Sequence, residues 1–71
     1  MSDFDAAKQA GKKLKMLIRQ HYSTQEEFAV DFGADIRTIN RYINCGINKV
    51  SVIQELAFFF GIDFISFFEE N

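Results

Sequence analysis

Two arginines and two asparagines lie close together in the middle of the chain: Arg37, Asn40, Arg41 and Asn44. An arginine guanidinium can bond both acceptors on a guanine edge, and an asparagine amide can bond both groups on an adenine edge. Such side chains recognise nucleic acid when they share one exposed surface. The segment IRTINRYIN, residues 36–44, therefore carries the residue types of base recognition.

Residues that catalyse reactions or bind metals are scarce. The chain has one histidine, His21, and one cysteine, Cys45. His21 has no Cys, Asp or Glu at the spacing of a zinc site, and no histidine lies near Cys45 in the sequence. Because catalysis needs a positioned base, nucleophile or metal, we expect a protein that is not an enzyme and that uses no cofactor or metal.

Helices are expected to position the arginines and asparagines. Apolar residues recur at helical spacing in four places, as at Leu14, Leu17 and Ile18, and nowhere alternate with polar residues as in a strand. The 71 residues are enough for one small domain only. The sequence therefore predicts an all-α fold of five helices in a single domain, residues 1–71, with helices at about 3–20, 25–32, 36–44, 50–60 and 64–70.

Capping signals agree with these helices. Thr24 and Glu27 have the spacing of a capping box before the second helix, and Gly33 stands where a left-handed residue would end it. Asp35 is the expected N-cap of the third helix. Asn48 or Ser51 is the expected N-cap of the fourth helix.

The second and third helices, joined by a three-residue turn, have the geometry of a helix-turn-helix. If Ile39 points inward, the rotation of about 100° per residue places Arg37, Asn40, Arg41 and Asn44 on the outward half. Thr38 lies at the edge of that face, where its hydroxyl can reach a phosphate. Gln25 begins the preceding helix, where exposed backbone amides favour phosphate.

Three segments carry a family resemblance: GKKLKMLIRQ, STQEEFAVDFGADIRTINRYI and IQELAFFFGIDFISFFEE. Together they resemble the Cro/C1-type (XRE) helix-turn-helix family of phage repressors and bacterial regulators. The resemblance implies a lambda-repressor-like bundle in which helix 36–44 enters the major groove. It places Ile36, Arg37 and Arg41 at base-contacting positions, and Gln25, Thr38 and Asn40 at backbone-contacting positions.

The resemblance and the helical phase together give the expected DNA-binding residues. Both support Arg37, Asn40 and Arg41, whereas Ile36 either contacts a thymine methyl group or packs in the core. The predicted base-reading residues are Ile36, Arg37, Asn40 and Arg41. The predicted DNA-backbone contacts are Gln25, Thr38, Asn44 and Lys49.

Phenylalanine is concentrated at the end of the chain, where residues 58–71 hold six of the nine. So small a domain cannot bury all six, and Phe58 points away from Phe60 on a helix. Either the rings fold against the first helix, or they form an apolar patch that another chain covers. Because members of the family bind two half-sites as two-fold dimers, we expect a homodimer. Its predicted interface is Phe58, Phe64, Phe67 and Phe68.

The net charge of -2 is unevenly distributed along the sequence. Residues 1–22 hold five bases and two acids, and residues 33–50 hold three bases and one acid. The charged residues of the ranges 23–32 and 51–71 are all acidic, three in the first and four in the second. Few bases then face phosphate, which predicts weak non-specific binding with a shallow salt dependence. The lysines of the first helix either form a solvated face or contribute one or two phosphate contacts.

The sequence predicts a sequence-specific double-stranded DNA-binding transcriptional regulator, a small repressor of phage or prophage type. We expect it in the cytoplasm, because the chain has no apolar run that spans a membrane, no secretory signal and a single thiol. No small-molecule effector is implied. The alternative is a protein-interaction module of the same fold, either an antitoxin-like partner or a fragment of a larger regulator, that docks through its Phe-rich C-terminal end. Ile43, where the family commonly has glutamate, favours that alternative slightly.

Overall fold

Four α-helices and a 3-10 helix follow one another in the computed structural model, which describes residues 3–68. The α-helices are α1 (Asp3–His21), α2 (Gln25–Phe32), α3 (Ile36–Cys45) and α4 (Val50–Phe60). The 3-10 helix is Phe64–Phe68. No strand occurs within the described range, and the predicted all-α class is confirmed.

The last predicted helix, 64–70, is a 3-10 helix where the structure describes it, and not an α-helix. Residues 64–68 form a 3-10 helix. The Ser66 amide donates to the Asp63 carbonyl, three residues back, at 3.0 Å, which is the hydrogen-bond spacing of such a helix. Residues 69 and 70 lie outside the described residues. So short a segment gains little from α-helical hydrogen bonding, and the tighter 3-10 turn is common in short pieces. This turn carries Phe67 into the core.

The helix caps are confirmed around α2 and α3 but not at α4. The Glu27 amide donates to the Thr24 hydroxyl at 3.2 Å, and the Thr24 amide donates to the Glu27 carboxylate at 3.1 Å. The residue at the N-cap of α4 is Lys49, which makes no side-chain capping bond. The prediction of Asn48 or Ser51 is therefore wrong, because Asn48 lies before the cap and Ser51 is already within the first turn.

The core forms around α1, whose inner face is completely covered by the other elements. Leu14 and Ile18 pack with buried residues from every other helix. Between α1 and α2, the Tyr22 hydroxyl also donates to the Asp31 carboxylate at 3.1 Å. Partial burial, and then this bond and the charge of Asp31, raise the pKa of Tyr22, so the phenol keeps its proton at neutral pH. The largest fully buried side chains are Phe28, Phe67, Leu14, Ile39, Ile47 and Leu56.

Helix α1 and the end of α3 approach each other without intervening side chains. A Cβ on Gly11 would overlap the carbonyl oxygen of Tyr42, and a Cβ on Gly46 would lie 2.8 Å from the backbone of Ala7. Gly46 also has φ 99° and ψ 168°, a conformation that is essentially restricted to glycine. The Ile47 amide then donates to the Ala7 carbonyl at 2.9 Å. These contacts fix the C-terminal end of α3 on α1.

Aromatic rings join α2 to α4. The Phe28 ring stacks between Phe32 and Phe60, with 5.4 Å between ring centroids on each side. Phe59 lies nearly perpendicular to Phe28, Phe32 and Phe60. Phe59 and Phe60, from the Phe-rich end, therefore pack against α2 within the monomer. This packing limits the apolar surface left for a partner.

Among the described residues, none of the helices has the length and apolar character needed to cross a membrane.

Candidate nucleic-acid interface

The turn between α2 and α3 holds the two helices in a defined relation. Gly33 is left-handed with φ 84°, as predicted, and both its amide and that of Ala34 donate to the Ala29 carbonyl at 2.9 Å. Asp35 then caps α3 by accepting from the Arg37 amide at 2.7 Å. With the Gly46 contact at its other end, α3 is fixed at both termini.

Helix α3 divides cleanly into an inner and an outer face. Ile39 is fully buried, as the phase analysis requires, and Ile36, Tyr42 and Ile43 are half-buried against the core. All four residues predicted to point outward are exposed, and we call them the recognition face: Arg37, Asn40, Arg41 and Asn44. The predicted phase is confirmed; contact of this face with DNA stays a prediction.

Arg37 is a predicted base-reading residue that is widely open to solvent. Its side chain is 89% exposed, and its Nε lies 3.6 Å from Oδ1 of Asp35. An ion pair this exposed contributes little to stability because water and salt screen it. The guanidinium can therefore leave Asp35 for another acceptor at small cost.

A shallow depression of about 310 Å³ lies between α3 and the loop that follows it. It brings together three of the predicted DNA-binding residues: Thr38, Arg41 and Lys49. Its lining residues include an arginine, a lysine and a threonine but no Asp or Glu. This donor set suits a phosphate oxygen. The remaining lining residues are Tyr42, Cys45, Gly46 and Asn48.

Gln25 and Ile36 lie outside this depression. Gln25 is half-buried at the first position of α2 and is followed by two exposed acids, Glu26 and Glu27. The Glu27 carboxylate already has hydrogen-bond partners, because it accepts from the amides of Ser23 and Thr24 at 3.1 Å. Ile36 packs against the core while remaining half-exposed, which is compatible with either of its two predicted roles.

The predicted dimer interface loses one member. Phe67 is fully buried within the chain, so its assignment to an interface is wrong. It was misplaced because the position of α1, and not the local sequence, decides which ring of the last turn faces inward. Phe58 is 89% exposed. Phe64 and Phe68 are half-buried and meet edge to face, with 5.3 Å between their ring centroids.

Two features of the surface go beyond the residues assigned from the sequence: the further lining of the depression, and the bases of α1, whose contact with phosphate the sequence left open. Cys45 and Asn48 line the depression beside Arg41 and Lys49. Four bases of α1, Lys8, Lys12, Lys15 and Arg19, are all exposed. Their spacing of four, three and four residues places them on one line along the helix, a signal that was present in the sequence.

Metal ligands do not cluster on this surface. Within residues 3–68, no group of three or more His, Cys, Asp or Glu side chains is arranged to hold a metal ion. His21 lies instead beside Phe60, with 5.7 Å between ring centroids.

The chain matches no protein-family model, no curated protein and no solved structure. Its function is therefore inferred from the geometry and charge of its own surfaces.

Proposed function

We propose that this chain is a sequence-specific, double-stranded DNA-binding transcriptional regulator that reads the major groove with α3. The observation that carries the proposal is the recognition face: two arginines and two asparagines exposed together on a helix that is fixed at both ends. The resemblance to the Cro/C1-type family supports the same conclusion. In this proposal the four α-helices and the 3-10 helix correspond to the five helices of a lambda-repressor-like domain.

The roles of the individual residues follow from their positions. Arg37 and Arg41 bond guanine edges, and Asn40 bonds an adenine edge or an adjacent phosphate. Ile36 contacts a thymine methyl group at the edge of the face. The surrounding polar side chains hold the sugar-phosphate backbone: Gln25, Thr38, Asn44 and Lys49.

The proposal is tested by selecting bound sites from a random pool of duplexes and then measuring affinity for the selected site. Arg37→Ala and Arg41→Ala should each lose about 1–3 kcal/mol of binding and relax the preference at one base pair. Lys13→Ala is the matched control, because it removes a positive charge on α1, away from α3. If no sequence is enriched, or if the double arginine variant binds as tightly as the control, the proposal is wrong.

A homodimer belongs to the same proposal. A single helix-turn-helix reads only a short half-site, and two-fold pairing places two recognition helices one helical turn apart on DNA. Exposed Phe58, with the half-buried pair Phe64 and Phe68, supplies apolar surface for this contact. We place this small repressor of phage or prophage type in the bacterial cytoplasm, with DNA and a second copy of itself as partners.

The second candidate function is a protein-interaction module that keeps the fold without recognising DNA. The observation that favours it is the apolar surface near the end of the chain, where Phe58 is accompanied by Ile65, which is 66% exposed. Under this alternative, selection from the random duplex pool enriches no DNA sequence. The chain instead binds a protein partner tightly, and mutation of Phe58 abolishes that binding.

A further inference from the structure

Helix α1 carries a straight line of positive charge that the recognition face does not use. We call this line, Lys8, Lys12, Lys15 and Arg19, the basic stripe; all four side chains are exposed. It extends about 16 Å along the helix, at 1.5 Å per residue. No acidic residue occurs between Ala6 and His21. Within residues 6–21, helix α1 therefore supplies no acid beside Lys12, Lys15 or Arg19.

Within the stripe, Lys12, Lys15 and Arg19 repel one another in the isolated protein. Like charges three or four residues apart on a helix repel each other, whereas a solvated helix is stabilised when acids and bases alternate at this spacing. The stripe contains three successive like-charge pairs. A polyanion that lies along it would remove this repulsion.

The stripe lies on the side of α1 that faces the end of α3. Gly11 marks the side of α1 that meets the Tyr42 carbonyl. Viewed along the helix axis, the stripe residues are rotated by about 40–100° from Gly11 in one direction, whereas Leu17 is rotated in the other direction. A Cβ on Gly46 would lie 3.0 Å from the Lys8 amide nitrogen. The stripe thus begins where the loop after α3 crosses α1.

That loop also carries Lys49 and borders the depression lined by Arg41. The loop therefore lies between two basic regions: Gly46 approaches the backbone at Lys8, and Arg41 and Lys49 line the depression. Among residues 6–68, all the acids are exposed and lie outside α1: Glu26, Glu27, Asp31, Asp35, Glu55 and Asp63.

We propose that the basic stripe binds the phosphate backbone of DNA that flanks the half-site read by α3. The inference rests on the proposed function, and it names a second contact area for the same ligand. Phosphates on one strand follow each other at 3.4 Å along the duplex axis, so a 16 Å line of charge faces several of them. The flanking duplex then follows α1, and the salt dependence of binding is steeper than the recognition face and its depression alone would give.

The test compares a stripe variant, Lys12→Gln/Lys15→Gln/Arg19→Gln, with the control variant Lys13→Gln on the same helix. Lys13 is half-buried and lies outside the stripe. Affinity for the selected site is measured between about 50 and 300 mM salt, on a short duplex and on one extended by a helical turn on each side. Each neutralised phosphate contributes about 0.9 to the slope of log K against log salt.

We expect the stripe variant to lower this slope by about 2 to 3, with the preferred sequence unchanged. The extended duplex should bind the wild type and Lys13→Gln more tightly than the short one, and this gain should vanish in the stripe variant. Thermal unfolding establishes that the variants are folded; because like-charge repulsion is relieved, the stripe variant should be at least as stable as the wild type.

The outcomes separate the inference from the proposed function. If the chain selects a sequence but the stripe variant keeps the wild-type slope, the inference is wrong and the proposed function stands. If no sequence is selected while the stripe variant still lowers the salt-dependent binding, the stripe is a DNA contact and sequence recognition is rejected. If the chain binds no DNA under any of these conditions, both are rejected.

Discussion

If α3 binds DNA as proposed, Asp35 both stabilises this helix and opposes its ligand. Its carboxylate caps α3 through the Arg37 amide and also lies 3.6 Å from the Arg37 guanidinium. The capping bond stabilises the helix, but under the proposed function the negative charge would compete with bases and phosphates for the same arginine. The two effects are separable, because asparagine caps helices about as well as aspartate.

Asp35→Asn should leave the free energy of unfolding within about 0.5 kcal/mol of the wild type, whereas Asp35→Ala should lose about 1 kcal/mol. The asparagine variant should bind the selected DNA site about 2- to 10-fold more tightly at low salt, with the gain shrinking as salt screens the removed charge. Urea unfolding and binding titrations measure the two effects. Weaker binding by Asp35→Asn would mean that the carboxylate positions Arg37 for recognition and does not compete for it.

At the scale of elements, the contact between α1 and the end of α3 decides where the recognition helix lies. Gly46 meets the Ala7 backbone directly and has a φ of 99°. Gly33 also has a positive φ, 84°, but a Cβ there would meet no atom within 4 Å. The two glycines therefore separate the effect of backbone conformation from that of close packing.

Gly33→Ala should lower the free energy of unfolding by about 1–2 kcal/mol, the usual penalty for a left-handed side chain. Gly46→Ala should lower it by about 3 kcal/mol, because backbone strain and overlap with Ala7 act together. Urea denaturation measures both changes, provided that the slope of the free energy of unfolding against urea concentration is the same in the variants and the wild type. Equal losses in the two variants would show that α1 and the loop separate easily and that the contact does not hold α3.

Local signals in the sequence predicted the helices and the orientation of α3, but not the contacts between distant segments. The hydrogen bonds of Thr24 and Asp35 involve neighbouring residues, so their spacing reveals them. The exposure of the recognition face followed from one inward residue, Ile39. The burial of Phe67 and the approach of Gly46 to Ala7 depend on where α1 lies in space, which no short stretch of sequence specifies.

At the scale of the whole molecule, charged and apolar surfaces are segregated. The recognition face and the basic stripe are positive, α2 carries three exposed acids, and exposed apolar side chains lie on α2 and from α4 onward. Phe58 and Val30 are the two most exposed large apolar residues among those described, at 89% and 79%. They lie on different helices, so mutating each in turn distinguishes a specific interface from non-specific hydrophobic association.

Phe58→Ser should shift the monomer–dimer equilibrium toward monomer by at least about tenfold, while Val30→Ser should leave it unchanged. Both residues are largely solvated in the monomer, so neither change should reduce its stability by more than about 0.5 kcal/mol. Sedimentation equilibrium from roughly 1 to 100 micromolar measures the association. A wild type that stays monomeric at tens of micromolar argues against the homodimer, and dissociation by Val30→Ser alone would move the interface to α2.

The division of α3 into two faces also bears on how such a protein changes over evolutionary time. Its packing contacts are made by Ile36, Ile39, Tyr42 and Ile43, while the four residues of the recognition face contribute no buried side chain. The outer residues can therefore be exchanged without loss of folding, and each exchange alters only what the surface prefers. A scaffold with this property can acquire a new target in a few substitutions and diverge rapidly from its relatives while its shape is retained.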